Sequence, residues 1–226
     1  MSVQQEFDRW ATSGRDREME DEHWHTAKQA LAMMPVEAGD TILDLGTGSG
    51  YALRALGEIH DLARGVGLDG SPEMTTNARE YAQDDSLDFT VADFHHLPFS
   101  DDSVDHVWSM EAFFFAQEPV EMLSEIRRVL RPGGTFFCAV NFFEESEQSH
   151  QWQERIDLPM YLWSRQEYRT LFREAGLSVA VQDTIPDEEI EIPPENQFPT
   201  DEWETREAMV DRYRTWGTLL TVGVAP

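Results

Sequence analysis

The chain has 226 residues, 40% hydrophobic and 11% aromatic, with 17 basic against 44 acidic side chains and a net charge of −27. That length suits one domain with a sizeable core, and the charge leaves no basic face for phosphate, which argues against nucleic acid as a partner. The single cysteine, Cys138, excludes an internal disulfide and a multi-cysteine metal site.

Val3, Phe7, Trp10 and Ala11 share one helical face, and Thr12-Ser13-Gly14 breaks it. A second helix is predicted over Met19–Met34, with Trp24, Ala27, Leu31 and Met34 in one stripe and Pro35 and Gly39 after it. Both precede the first strand, so residues 1–38 read as an N-terminal helical cap on a domain spanning 39–226. Thr41 to Leu45 reads as a strand. Gly46, Gly48 and Gly50 then alternate through a turn, and Ala52-Leu53-Arg54-Ala55-Leu56 is helix-forming. Strand, glycine turn and helix open a nucleotide-type α/β unit, in which a ligand lies directly on the main chain.

A second strand, Gly65–Asp69, ends in an acid. Ser71 caps the next helix, with Pro72 first and Glu73 in its opening turn. Leu87–Ala92 alternates as a third strand before Asp93, and Val104–Met110 is a fourth. A helix over Glu118–Arg131 stops at Pro132-Gly133-Gly134. The fifth strand, Thr135–Phe142, is nearly all apolar, as in a sheet covered on both faces. Residues 143–163 lose periodicity and read as a substrate-side insertion or lid. Ser164 and Glu167 form a capping box for a helix to Gly176, with Trp163 and Tyr168 as its staple. A sixth strand starts over Ser178–Val181. Pro186–Pro199 is a loop, Thr200–Tyr213 a helix and Thr218–Val224 the last strand. The alternation predicts an α/β fold: a Rossmann-like, seven-stranded, mostly parallel sheet with helices on both faces.

The glycine turn alone leaves the ligand open. A dinucleotide enzyme wants Gly-x-Gly-x-x-Gly, and Tyr51 stands where the third glycine belongs. Asp69, 19 residues beyond Gly50, suits ribose hydroxyls under either reading.

Five stretches taken in order are specific. Leu43-Asp44-Leu45-Gly46-Thr47-Gly48-Ser49-Gly50, Val66–Met74, Ala92–Phe99, Ser103–Met110 and Arg128–Gly134 resemble the motifs of class I S-adenosylmethionine-dependent methyltransferases of the type-11 methyltransferase domain family. The resemblance spans about Thr41 to Val140. It implies S-adenosyl-L-methionine as cofactor and methyl transfer to an acceptor, expected to be a small molecule. It also implies site roles. Gly46, Gly48 and Gly50 would pass under the methionine part, with Asp44 near its ammonium. Asp69 would take the ribose hydroxyls, and Asp93 the adenine amino group with Phe94 beside the ring. Ser109 would offer its backbone carbonyl to the ligand's amine. Thr47 departs from the cysteine of many members, and Phe114 and Phe115 from their histidine pair. The alternatives are an NAD(P)-dependent oxidoreductase and a non-catalytic S-adenosylmethionine-binding protein, which the fold itself does not separate.

Methyl transfer from a sulfonium is an in-line displacement that needs alignment and exclusion of water, so no catalytic triad is required. No catalytic residue is assigned. Glu111, His23, His25, His95 and His150 are the candidates if the acceptor must lose a proton. Scattered histidines without ligand spacing point to no metal. The expected partners are the acceptor alone, with no nucleic acid and no membrane. Lys28 is the only lysine. An acid-rich, lysine-poor chain resembles proteins of salt-loving microbes, whose surface charge repels itself unless ions screen it. No apolar run reaches the length of a membrane span. Ser2–Glu6 lacks the basic start and apolar stretch of a signal peptide, so the cytoplasm is the expected location.

Overall fold

The computed structural model describes residues 2–156 and 158–226. Among the described residues there are seven strands: β1 (Thr41–Leu45), β2 (Arg64–Asp69), β3 (Leu87–Val91), β4 (Val104–Met110), β5 (Leu130–Val140), β6 (Ser178–Ile185) and β7 (Thr218–Val224). They form one sheet in the order β3-β2-β1-β4-β5-β7-β6. β1 to β5 pair in parallel, and β7 lies antiparallel between β5 and β6. The strand order reverses at β1, whose neighbours are β2 and β4, so a crevice opens beyond the carboxyl ends of these three strands.

Helices cover both faces. α2 (Arg15–Leu31), α3 (Tyr51–Ile59) and α4 (Pro72–Tyr81) bury Ala27, Ala30, Leu31, Leu53, Leu56 and Ala78 on one face with Ile42 and Phe89. α5 (Pro119–Val129) and α7 (Arg165–Glu174) bury Met122, Leu123, Ile126, Tyr168 and Phe172 on the other. Each apolar side chain of this size removed from water contributes about 1.5–3 kcal/mol, so the two clusters supply the main driving force. α1 (Val3–Ser13) packs on α4. The remaining helices are α6 (Gln151–Arg155) and α8 (Arg206–Val210).

The predicted caps form. The Ser71 hydroxyl accepts from Met74 N, and Ser164 and Glu167 make a reciprocal capping box. The Trp163 and Tyr168 rings meet edge-on at 5.7 Å across that helix start.

Several boundaries differ from the sequence expectation, among them these. α2 starts at Arg15 rather than Met19, because the left-handed Gly14 ends α1 and begins α2 at once. β5 starts at Leu130 rather than Thr135. Leu130 pairs with Val104, and the register slips before Thr135, so the Pro-Gly-Gly segment is carried as an irregular strand start. β6 runs on to Ile185 because β7 pairs with it as far as Thr218. Residues 200–213 do not form one helix. Thr200 Oγ1 accepts from Trp203 N at 2.9 Å and holds a turn, then Thr205 caps the short α8, which widens into a π-helical turn over Asp211–Trp216. The aperiodic segment 143–163 contains α6, and its residue 157 lies outside the described residues.

Candidate active site

The turn after β1 is built by backbone that only glycine tolerates at close quarters. Gly46 has φ +75°, and a Cβ there would lie 2.4 Å from the Ala112 Cβ. Gly48 has φ +52° with open space where its Cβ would be, so its main chain faces the crevice bare. Gly50, at φ +76°, has a different job. It starts α3, and its missing Cβ makes room for the Phe89 ring.

Two carboxylates come together at this turn. Asp69, at the end of β2, accepts from Gly48 N at 3.0 Å and Ser71 N at 2.9 Å. Burial pushes its pKa up to about 6 against those hydrogen bonds. Asp44, inside β1, accepts from the Thr47 hydroxyl at 2.7 Å. Burial raises its pKa to about 7; the Thr47 hydrogen bond lowers it, and the Asp69 charge adds to the rise. A ligand bearing hydroxyls and an ammonium offers these acids what burial has taken away.

Both acids line a cavity of about 1020 Å³, together with Gly46, Gly48, Asp93 and Phe94. Asp93 is exposed at its rim. His95 N and Nδ1 lie 2.9 and 2.8 Å from Asp93 Oδ1, and these contacts hold the carboxyl below its usual range. Phe94 is half-buried beside it. Six of the eight residues expected from the sequence therefore share one cavity. Gly50 and Ser109 are not in its wall. The Ser109 hydroxyl is buried and donates to the Leu45 carbonyl at 2.8 Å, which ties β4 to β1. On β4 the wall is made instead by Trp108 and Met110.

The N-terminal helices roof this end. Glu20 of α2 accepts from the Ser49 hydroxyl and from Arg54 Nη2, each at 2.8 Å. Asp8 of α1 accepts from the Ser71 hydroxyl at 2.5 Å. These acids sit on exposed-looking helical sequence, and only the fold reveals that they hold the roof to the glycine turn.

The far end of the cavity contains Glu111 and Arg212. Glu111 follows β4 with φ +56°, a costly conformation for a side chain of its size. Its carboxylate accepts from Asn141 N. Burial lifts its pKa to about 7, opposed by that hydrogen bond and by the Arg212 charge. The histidine candidates are engaged elsewhere or held neutral. His25 lies 3.2 Å from Asp187, and His95 is bound to Asp93. His150 Nε2 faces the carbonyls of Phe143 and Glu144, and burial pushes the His23 pKa down to about 4. Arg212 was absent from the sequence reading. Its one signal is spacing: with Met209, Tyr213 and Trp216 it falls at i, i+3, i+4 and i+7 of an inward stripe. Among the described residues no cluster of His, Cys, Asp or Glu has metal-binding geometry, and no helix is long and apolar enough to cross a membrane.

A glycine-lined floor beside two buried acids fits a ligand bearing hydroxyls and an ammonium, and comparison with known proteins agrees. The family model described as Methyltransferase domain matches residues 43–138. Malonyl-[acyl-carrier protein] O-methyltransferase of Marinomonas sp. (strain MWYL1) is 36% identical over 108 residues, 47% of this chain and 40% of that protein. The chain spans less than half the length of such curated relatives. A chain from the complex between the Haloferax volcanii Trm112 methyltransferase activator and a methyltransferase is 66% identical, with a TM-score of 0.96 over 98% of each chain. YcgJ of Bacillus subtilis shares the fold at 20% identity, with a TM-score of 0.69 over 90% of this chain and 99% of that one.

The Haloferax likeness supports the halophilic character read from the composition. It also corrects the partner expectation of an acceptor alone, because the relative was solved with a protein activator. Composition reports on phosphate and lipid. It is blind to protein docking, since a non-obligate interface is about as apolar as any other surface. Likeness over almost the whole Haloferax chain, carried by motifs that converge on one cavity, makes this chain a member of the class I S-adenosylmethionine-dependent methyltransferases of the type-11 methyltransferase domain family, with S-adenosylmethionine as its cofactor.

Proposed function

We infer that this chain is the catalytic subunit of a cytoplasmic methyltransferase that works with a Trm112-type activator protein and methylates an acceptor presented beside Glu111. One observation carries the catalytic half. A single cavity runs from the buried pair Asp44 and Asp69 to the half-buried Glu111. The 66% identity to the Haloferax chain supports the activator half.

Bound S-adenosylmethionine supplies a methyl group on a sulfonium. The chain's residues do the rest. Asp69 accepts the ribose hydroxyls, and its two main-chain donors hold the carboxylate in position. Asp44 faces the ammonium, Gly46 and Gly48 pass beneath the methionine part, and Gly50 sets the turn. Asp93 and Phe94 would receive the adenine at the rim, while Ser109, buried behind the wall, ties β4 to β1. Residues 1–38 cap the site, and 143–163 flank the acceptor. Met110, which accepts from the Tyr51 hydroxyl at 3.3 Å, closes the wall between the two ends. Glu111 takes a proton from the acceptor. With a pKa of about 7 it is half ionised at neutral pH, the range in which a general base works best.

Two measurements test this. Tagged Haloferax Trm112 co-expressed with the chain should co-purify with it in molar KCl; separate elution at every salt concentration would refute the assembly. The complex, supplied with methyl-labelled S-adenosylmethionine and a halophile extract, should label an acceptor. Glu111→Gln should cut that rate by roughly 100-fold or more while S-adenosylhomocysteine still binds. An undiminished rate would remove Glu111 from the mechanism.

A further inference from the structure

The cofactor end of the cavity uses Asp44, Asp69 and Asp93 but leaves Arg212 without a task. Arg212 is 4% exposed and forms part of the cavity wall. Its Nη1 donates to the Gly217 carbonyl at 2.8 Å, while its buried Nε has no hydrogen-bond partner. Among the described residues no carboxylate pairs with it. Glu111 and Asp187 act on it only through space, and burial pulls its pKa below the usual value. A buried charge without a partner is expensive, and a buried polar atom left unsatisfied needs an explanation. The π-helical turn that carries Arg212 is a local irregularity of the kind common at functional sites.

The surroundings define what fits. With Nη1 occupied, Nε and Nη2 form the remaining edge of the guanidinium, a planar fork suited to a planar oxyanion, and because Nε is sealed in this structure a carboxylate reaches it only if the adjoining wall shifts. The Tyr213 ring lies 4.9 Å from the guanidinium carbon. Trp203 meets Tyr213 at 5.6 Å and Trp152 at 6.5 Å, so an aromatic wall stands next to the charge. Other acids of the cavity are out of play or on its edge. Glu22 is held by Arg15 at 2.8 Å, and Glu191, Asp201 and Glu202 are exposed. Asp44, Asp69 and Glu111 already place negative charge within the same cavity. Arg15 and Arg155 also line the cavity, but Arg15 is paired with Glu22 and Arg155 lies over Trp152 and donates to the Glu202 carbonyl. The buried guanidinium of Arg212 against that field balances a single negative charge better than the double charge of a phosphate monoester.

Resting on the methyl-transfer reading above, we propose that Arg212 anchors a carboxylate group of the acceptor, whose carbon skeleton lies along Trp152, Trp203 and Tyr213. The carboxylate takes the Nε edge of Arg212, and the group to be methylated then points toward Glu111. Molar salt weakens such a contact less than a surface pair, because it forms inside the cavity.

The probes are benzoate, its neutral isostere benzamide and inorganic phosphate. Each is titrated by calorimetry, at one fixed KCl concentration, into the chain saturated with S-adenosylhomocysteine. Benzoate should bind at least about tenfold more tightly than benzamide and more tightly than phosphate. Arg212→Met should reduce benzoate to the benzamide level, and Arg212→Lys should keep part of the preference. Glu111→Gln should tighten benzoate several-fold, the opposite sign from Arg212→Met, which a merely structural role of the arginine would not produce. If Arg212→Met does not fold, Arg212→Lys and Glu111→Gln decide. Equal benzoate and benzamide binding, tighter phosphate binding, unchanged benzoate binding in the arginine variants, or no benzoate binding by the wild type at about 10 mM would each overturn the proposal. S-adenosylhomocysteine binding in the same samples is a separate readout. Its absence would refute the cofactor site and leave the anion result to stand or fall alone.

Discussion

Asp69 carries two opposed demands. The apo fold favours its proton, because burial raises its pKa from 3.8 to about 6. Ribose hydroxyls favour its charge, because an ionised carboxylate accepts both. Asp69→Ala should therefore weaken S-adenosylhomocysteine by roughly 100-fold, from the loss of two charge-assisted hydrogen bonds. Asp183→Ala, on the exposed side of β6, should change it less than about twofold. Equal losses by calorimetry would remove Asp69 from the ribose. The same conflict gives a pH dependence. Below about pH 6 the apo carboxyl is protonated and must give up its proton on binding, so affinity should fall toward tenfold for each further pH unit. Apo stability moves the other way. A folded pKa above the unfolded value contributes stability that is complete below pH 3.8 and lost as pH rises through about 6. Cofactor affinity that stays flat from pH 7 to 5 would contradict the burial of this acid. The role proposed for Asp69 was legible because an acid ending a strand beside a glycine turn has few other uses. Arg212 was not, because one arginine in a polar helix reads as solvated until a buried wall forms around it.

Among the elements, the glycine turn separates two functions that the sequence shows as one pattern. A Cβ on Gly50 would meet the Phe89 ring at 2.6 Å, so Gly50→Ala overpacks the core between α3 and β3 in addition to straining φ. It should cost about 2–4 kcal/mol, a fall of roughly 5–15 °C in the midpoint of thermal unfolding. A Cβ on Gly48 meets nothing, so Gly48→Ala should cost only about 1 kcal/mol through φ while weakening cofactor binding, because the new methyl group enters the cavity. The reverse ranking, by calorimetry and thermal unfolding together, would show that the turn is misassigned. Caps were legible on the same principle as strands. Ser71 and Ser164 satisfy orphan amides from one or two residues away, so local sequence is sufficient. The segment after Pro199 was not legible, because its inward stripe has helical spacing. The hydrogen bond from Trp203 N to Thr200 and the Arg212 bond to Gly217 divide it into a turn, a short helix and a widened coil. The roof contacts of Asp8 and Glu20 were hidden for the same reason, since their partners lie more than 25 residues away in sequence.

At the scale of the whole molecule, −27 charges on a chain with one lysine leave repulsion that internal pairs do not absorb. Ion pairs between exposed side chains, such as Arg15 with Glu18 and Arg64 with Asp88, contribute little each. The core packs like that of any α/β domain, so the weakness lies in the field and not in the packing. Salt acts on that field in a recognisable way. Its screening length falls from about 10 Å at 0.1 M to about 3 Å at 1 M, below the spacing of most surface charges. Stability should therefore rise steeply with KCl up to about 1 M and then level off, with a total gain of roughly 10 °C or more in the unfolding midpoint. An effect working through apolar burial would instead keep rising with salt, and would be larger in sulfate than in chloride at equal ionic strength. Thermal unfolding in KCl and in potassium sulfate separates the two. A midpoint that does not move between 0.1 and 2 M KCl would show that the acidic surface is not what ties this fold to salt.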